Sequence, residues 1–168
     1  MIRAPGRAAS SRRPMPAGKV HTLHPGDVAA GGQGDRFETL LGSCVAIVLT
    51  DPRRTVGVMC HIVHAKPAVA ETDPTGAYAA VALEAMYGEL QARGITPRLC
   101  EAYVYGGGNM FPDLYRSTSV GDQNVRWALE ALAADGIRVV AQDVGGTVYR
   151  RLSWTVGVDD PVVSAVEV

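Results

Sequence analysis

The sequence predicts a mixed α/β domain, with a β-sandwich or mixed-sheet core and helices packed outside it. Three observations carry this. Short β-branched runs bounded by turn residues recur along the chain. Two stretches, 75–93 and the one that follows Ser119, change to the helical period. Strands come both as a hairpin and in strand-helix-strand order, which favours a mixed sheet or two packed sheets over an all-parallel one. At 168 residues the chain has the size of one domain with one hydrophobic core.

Each element follows from local chemistry. Residues 1–19 hold Pro5, Pro14, Pro16, Ser10 and Ser11 with no apolar periodicity, so they read as a disordered basic tail, and the working domain as 20–168. Residues 20–23 form a short strand, and 26–34 a glycine-rich loop. The apolar runs 45–49 and 56–63 flank Thr50-Asp51-Pro52-Arg53-Arg54-Thr55, where Asp-Pro opens a type I turn, so they form a hairpin. In 75–93, Ala79, Ala82, Leu83, Met86 and Leu90 line one helical face, with Thr75 able to cap the start and Gly94 the end. A strand at 99–105 runs into Gly106-Gly107-Gly108-Asn109, where the backbone takes unusual angles or something approaches closely. Ser119-Val120-Gly121-Asp122 resembles a capping box and starts a second helix, with Val125, Ala128, Leu129 and Leu132 as its buried stripe. Asp135-Gly136 ends it; 137–141 returns as a strand, Gly145-Gly146 turns, and 149–156 and 162–166 complete the sheet, the last as an edge.

Charge and composition exclude several classes. The formal net charge of −1 rules out a globally basic nucleic-acid binder. Five of the 16 basic residues (Arg3, Arg7, Arg12, Arg13 and Lys19) lie in the tail, which has no acid, so the remainder sets eleven basic against 17 acidic residues, a net −6. Arg12-Arg13 is followed by no apolar segment, which argues against a twin-arginine export signal. No run approaches the roughly 20 apolar residues of a membrane span. Cys44, Cys60 and Cys100 form no CxxC pair, and three thiols cannot all pair, so a reducing cytoplasmic compartment is expected.

The chemistry concentrates at Thr39-Leu40-Leu41-Gly42-Ser43-Cys44 and His61. With the hairpin turn centred between Pro52 and Arg53, Cys44 pairs directly with His61, and opposed residues on antiparallel strands share a face. A one-residue slip would separate them. On the same register Cys60 lies opposite Val45 on the other face, as a small buried hydrophobe, and Cys100 reads the same way. Gly42 and Ser43 precede Cys44 at the start of a strand, where unpaired backbone N–H groups can hold an oxyanion. By spacing alone Cys44 remains either a core cysteine or a nucleophile, and His61 either a structural hydrogen-bonding residue or a base. His61 and His64 point to opposite faces of a strand and no second close ligand pair exists, so no metal is expected. Gly106-Gly107-Gly108 lacks the spacing of a dinucleotide fingerprint.

Taken in order, the segment from Thr39 to Val45, Val56-Gly57-Val58-Met59-Cys60-His61, Tyr105-Gly106-Gly107-Gly108-Asn109-Met110, Gly121-Asp122-Gln123-Asn124 and the segment from Asp143 to Arg150 resemble the motifs of the CheD family of chemoreceptor glutamine deamidases. The resemblance spans about 20–156. It implies a fold similar to cysteine deamidase toxins, a cytoplasmic protein-glutamine deamidase acting on methyl-accepting chemotaxis receptors, and a CheC-type phosphatase as a partner. It implies no cofactor. It places the catalytic roles on Cys44 and His61, with Thr39 as the third polar residue, and assigns Gly42, Ser43, Gly106 and Gly107 to substrate binding. The expected chemistry is a thioester route in which a Cys44 thiolate paired with imidazolium His61 attacks the glutamine carboxamide. Gly108 where alanine is usual, Cys60 beside the histidine, the His64-Ala65-Lys66-Pro67 stretch and the basic tail depart from the family pattern. Two other classes remain at this level: a transglutaminase or protease with the same nucleophile, and a non-catalytic module that regulates a phosphatase.

Overall fold

A computed structural model describes residues 18–65, 75–114 and 118–167. The tail, apart from its last two residues, and Lys66 and Pro67 of the His64-Ala65-Lys66-Pro67 stretch lie outside the described residues. Among the described residues nine strands and two α-helices follow one another: β1 (Val20–Thr22), β2 (Val28–Gly32), β3 (Arg36–Leu41), β4 (Val45–Thr50), β5 (Val56–Cys60), α1 (Ala79–Ala92), β6 (Glu101–Gly106), α2 (Val120–Ala134), β7 (Arg138–Val144), β8 (Tyr149–Thr155) and β9 (Val162–Val166). A single 3-10 turn, Pro97–Leu99, precedes β6.

The strands form two sheets, one in the order β1-β3-β8-β9 and the other β2-β5-β4-β6-β7. Both are mixed: β1 runs parallel to β3 and β6 parallel to β7, while the remaining neighbours are antiparallel. This is the expected sandwich with outer helices, and strand alternation divides its core in two. Phe37, Leu41, Ala46, Val48, Met59, Tyr103, Leu152 and Trp154 pack between the sheets. Val45, Ile47, Leu49, Val58, Cys60 and Ile62 face the other way, onto Ala82, Met86 and Leu90 of α1 and Ala128 and Leu132 of α2. Strands β4 and β5 are therefore buried on both faces, which is why they read as continuous apolar runs.

The α1 stripe agrees with the sequence, and in α2 Ala128 and Leu132 are buried while Val125 and Leu129 are half-buried against the core. The buried residues of α1 are Ala79, Ala82, Leu83, Met86 and Leu90, and Ser119 caps α2 in a full capping box with Asp122. Three expectations are corrected. The N-cap of α1 is Tyr78, with no side-chain cap, so Thr75 does not serve there. Part of the glycine-rich loop is β2, which pairs antiparallel with β5. Residues 36–41, given no element by the sequence, form β3 at the centre of the first sheet.

The hairpin register also moves. Val48 pairs with Met59, and Val45 bridges Ile62, so the two strands are offset by two residues from direct Cys44–His61 pairing. Asp-Pro does open a turn, closed by Arg54 N–H donating to Asp51 O at 2.8 Å. Arg54 then takes a positive φ of 55°, and the Asp51 carboxylate accepts from the N–H groups of Thr55 and Val56, so the loop gains its extra length on the β5 side. Cys60 consequently opposes Ile47 rather than Val45. Because the shift is even, every side chain keeps its face.

Candidate active site

Cys44 sits just ahead of β4, and His61 just past β5. Continuing the register places Cys44 opposite Val63 and His61 opposite Ala46, which makes the two diagonal neighbours. Both lie on the face between the sheets: Cys44 packs against the inter-sheet cluster, and His61 follows the alternation of Met59. A diagonal pair has Cα atoms roughly 7 to 8 Å apart, a gap that an aromatic ring can span. No hydrogen bond joins the two side chains among the described residues; such contacts tighten when substrate is bound.

The opposite sheet completes the arrangement. Thr39 points inward from β3 between Phe37 and Leu41, and its Oγ1 lies 2.7 Å from His61 Nδ1 and 2.8 Å from Leu23 O. A hydroxyl has one proton. The Leu23 carbonyl can only accept, so Thr39 donates to it and must accept from His61 Nδ1–H. The network therefore assigns the proton to Nδ1 and leaves the Nε2 lone pair available as a base. The His61 backbone is pinned as well, its N–H donating to Asp27 O at 3.0 Å and its C=O accepting from Gly26 N–H at 2.9 Å.

The backbone leading to Cys44 is fixed through its carbonyls. Gly42 O accepts from Gly108 N–H at 2.9 Å, Ser43 O from Asn124 Nδ2 at 3.0 Å and Cys44 O from Gly107 N–H at 2.8 Å. The N–H groups of Ser43 and Cys44 take part in no hydrogen bond among the described residues. Gly106 is required where it stands: its φ is +106°, and a Cβ there would overlap the Cys44 carbonyl oxygen. Arg150, buried on β8, braces the same loop by donating to Gly145 O at 2.7 Å and Gly106 O at 3.4 Å, and pairs with Asp143 at 3.2 Å.

Two hollows reach this region. One of about 360 Å³ is lined by Gly42, Ser43 and Cys44 with Gly108, Met110, Val120 and Tyr149. The other, of about 610 Å³, is lined by Thr39, His61, Leu23, Arg36, Glu38 and Arg151. Thiol and imidazole are thus approached from two sides. Gly42 and Ser43 line the Cys44 cavity. Gly106 and Gly107 do not line the cavity: they are buried, and the Gly107 N–H is consumed by Cys44 O, so they hold the backbone while Gly108 forms the wall. The sequence missed Asn124 and Arg150 as parts of this scaffold; their signal was only membership in ordered motifs.

Burial works against the expected ion pair. Burial lowers His61 from its ordinary 6.5 to about 4, against a smaller opposing effect of Asp27. Burial also raises the Cys44 thiol. Both changes favour the neutral forms, a thiol and a neutral imidazole, over thiolate and imidazolium. Cys60 is pushed up to about 12, and its Sγ accepts the Ile47 N–H at 3.4 Å. Among the described residues no group of three His, Cys, Asp or Glu side chains could hold a metal ion, and no helix is long and apolar enough to cross a membrane.

Comparison with known proteins matches residues 64–158 to the family model described as CheD chemotactic sensory transduction. That span begins just after His61. Longer similarity comes from individual relatives. A probable chemoreceptor glutamine deamidase CheD of Pseudomonas fluorescens (strain SBW25) is 38% identical over 135 residues, covering 79% of this chain and 76% of that one. One from Albidiferax ferrireducens is 34% identical, covering 82% of each chain. A third, from Methanococcus vannielii, is 35% identical and covers 72% of this chain and 79% of its own. A crystal structure of a Neisseria meningitidis protein superposes with a TM-score of 0.48 at 13% identity, covering 78% of this chain and 65% of that one.

Proposed function

The chain belongs to the CheD family, and on that premise we propose that it is a chemoreceptor glutamine deamidase, a hydrolase that converts receptor glutamines to glutamate and releases ammonia in chemotaxis. The observation that carries the site assignment is the Leu23–Thr39–His61 chain of hydrogen bonds, which leaves a basic Nε2 on the face shared with Cys44.

As the thiol attacks, His61 Nε2 takes its proton and Cys44 Sγ bonds to the carboxamide carbon. The oxygen becomes an oxyanion, held by the Ser43 and Cys44 N–H groups. The His61 imidazolium then protonates the departing nitrogen, the C–N bond breaks, and ammonia leaves a thioester. Water, deprotonated by His61, attacks the thioester; the C–S bond breaks, glutamate leaves, and the thiolate recovers its proton from His61. The hollow beside Thr39 and His61 gives water a route to the base while substrate fills the Cys44 side. Generating the nucleophile during attack fits a site in which burial keeps both groups neutral.

One catalytic domain over 20–168, a cytoplasmic location and a CheC-type phosphatase partner complete the reading; the resemblance supports the partner. Replacing Cys44 by Ala tests the core of it. The variant should keep its circular dichroism spectrum and release no ammonia from a receptor fragment, while the wild type leaves the mass shift of amide-to-acid conversion on the receptor. Ammonia release by Cys44→Ala at the wild-type rate would remove the assignment.

A further inference from the structure

Antiparallel pairing holds β4 and β5 in register only as far as Val45 and Ile62, which exchange both backbone hydrogen bonds, at 3.0 and 2.8 Å. Past that bridge the chains part. The Val63 N–H donates to Ala77 O, and among the described residues no backbone bond links Ser43 or Cys44 to Val63. Yet this is where the placement of Cys44 relative to His61 is decided, because Cys44 falls opposite Val63, two residues beyond His61.

The gap is closed from the helix layer. Asn124, on the second turn of α2 and only 1% exposed, donates through Nδ2 to Ser43 O and to Val63 O, both at 3.0 Å. Two carbonyl acceptors require the nitrogen on that side, so the amide orientation is fixed chemically. Its Oδ1 is buried and has no partner among the described residues. An orphaned acceptor costs stability, so a side chain selected for stability alone would be apolar and of the same size. What an apolar residue cannot do is hold two carbonyls, one from each strand, on a single planar amide.

We propose that Asn124 is a positioning residue for deamidation, clamping the Ser43 and Val63 carbonyls together so that Cys44 and His61 keep a reactive spacing. It acts on the two backbones and does not line the Cys44 cavity. Loss of the clamp slows the chemical step without weakening substrate binding. The inference rests on the Cys44–His61 reading, and the two fail separately: ammonia release by Cys44→Ala removes that reading, whereas an inactive Cys44→Ala beside a fully active Asn124 variant removes only this one.

The test uses Asn124→Leu and Asn124→Asp, both of similar size and both lacking the amide N–H groups, assayed on a receptor fragment well below their melting temperatures. Misplacement on the order of 1 Å costs about a hundredfold in rate, so kcat should fall between about tenfold and a hundredfold while KM stays within about twofold. Alkylation of Cys44 by iodoacetamide, slow for a neutral thiol and located by peptide mass spectrometry, should keep its wild-type rate in both variants. A purely structural role would lower only the melting temperature and leave kcat per folded molecule unchanged, and that result overturns the proposal. Failure of both variants to fold also overturns it, since Asn124 would then be holding the fold and not the spacing. In the wild type, both Asn124 side-chain protons should exchange slowly with solvent; fast exchange would show that the clamp does not exist.

Discussion

Thr39→Val removes one oxygen and keeps the shape of the side chain, so it isolates the hydroxyl that joins the two sheets. The hydroxyl serves two buried partners, Leu23 O at 2.8 Å and His61 Nδ1 at 2.7 Å. Neither partner gains a replacement from valine. A buried group left without its hydrogen bond costs about 1 to 3 kcal/mol, so the pair should cost about 2 to 6 kcal/mol. At about 3 °C per kcal/mol for a domain of this size, the melting temperature should fall by about 6 to 18 °C. Activity should suffer for a separate reason. Without an acceptor at Nδ1, the imidazole proton moves freely to Nε2, where it blocks the base. If the lost bond favours the productive tautomer by about 1.4 kcal/mol, that tautomer falls about tenfold relative to the other. Loss of ring orientation adds to this, so kcat for ammonia release should drop between about tenfold and a thousandfold with little change in KM. Thr39→Ser, which retains Oγ, should recover most of the activity. A folded Thr39→Val enzyme with wild-type kcat would refute the tautomer argument, and equal losses in the valine and serine variants would show that the methyl group, not the hydroxyl, matters.

Acid should unfold the protein through His61. Its folded-state value of about 4 lies below the ordinary 6.5, so the fold favours the neutral ring; the stability this represents is complete above 6.5 and is lost as the pH falls toward 4. Between pH 7 and 4.5 the loss is about 2 kcal/mol, read as a lower urea midpoint, and His61→Asn should flatten that slope; an unchanged slope would assign the acid sensitivity elsewhere. Asp35 and Asp51, held below 3.8 by their hydrogen bonds despite burial, contribute at lower pH. Gly106→Ala puts a Cβ against the Cys44 carbonyl at a φ of +106°, a backbone conflict that should cost about 1 to 3 kcal/mol and lower kcat by shifting Cys44; normal melting with normal activity would show that the loop yields.

Sequence reasoning worked where burial is two-sided and periodicity strong. Val45–Thr50, Val56–Cys60 and the stripes of α1 and α2 are legible because each meets a whole apolar layer. Val28–Gly32 escaped because Ala-Ala-Gly-Gly has no β-branched residue after Val28; its strand conformation comes from pairing with β5. Arg36–Leu41 did carry a signal: Phe37, Thr39 and Leu41 alternate inward against Arg36, Glu38 and Leu40. It was obscured because the inward residue at the centre is polar, and its partner, His61, is 22 residues away on the other sheet. The hairpin register failed for a local reason, the Asp51 side chain stabilising a longer loop with Arg54 at positive φ. Cys44 and His61 still share a face because that error was even. Asn124 and its two carbonyl partners could not be read at all, since the contact joins a helix to two strand ends.

Acidity does not distinguish the three thiols. Burial raises all of them, Cys60 to about 12, Cys100 to about 11 and Cys44 in the same direction. A cysteine enzyme that relied on a standing thiolate would need a cationic neighbour or a helix N-terminus to lower one of these values, and nothing beside Cys44 lowers its own. What separates it is placement. Cys60 points into the layer under the helices and gives its sulfur to Ile47, and Cys100 donates to Thr96 O at 3.8 Å. Cys44 is half-exposed on a cavity wall, on the face that carries an imidazole whose tautomer is fixed from behind by Thr39. On the proposed chemistry, the reactive sulfur exists only when a carboxamide in the cavity can accept the attack as His61 accepts the proton. On that chemistry the resting thiol should react slowly with oxidants and alkylating agents, which act on the thiolate. Specificity for a receptor glutamine over other electrophiles then begins with the charge state of the empty site, before any contact with the receptor surface is made.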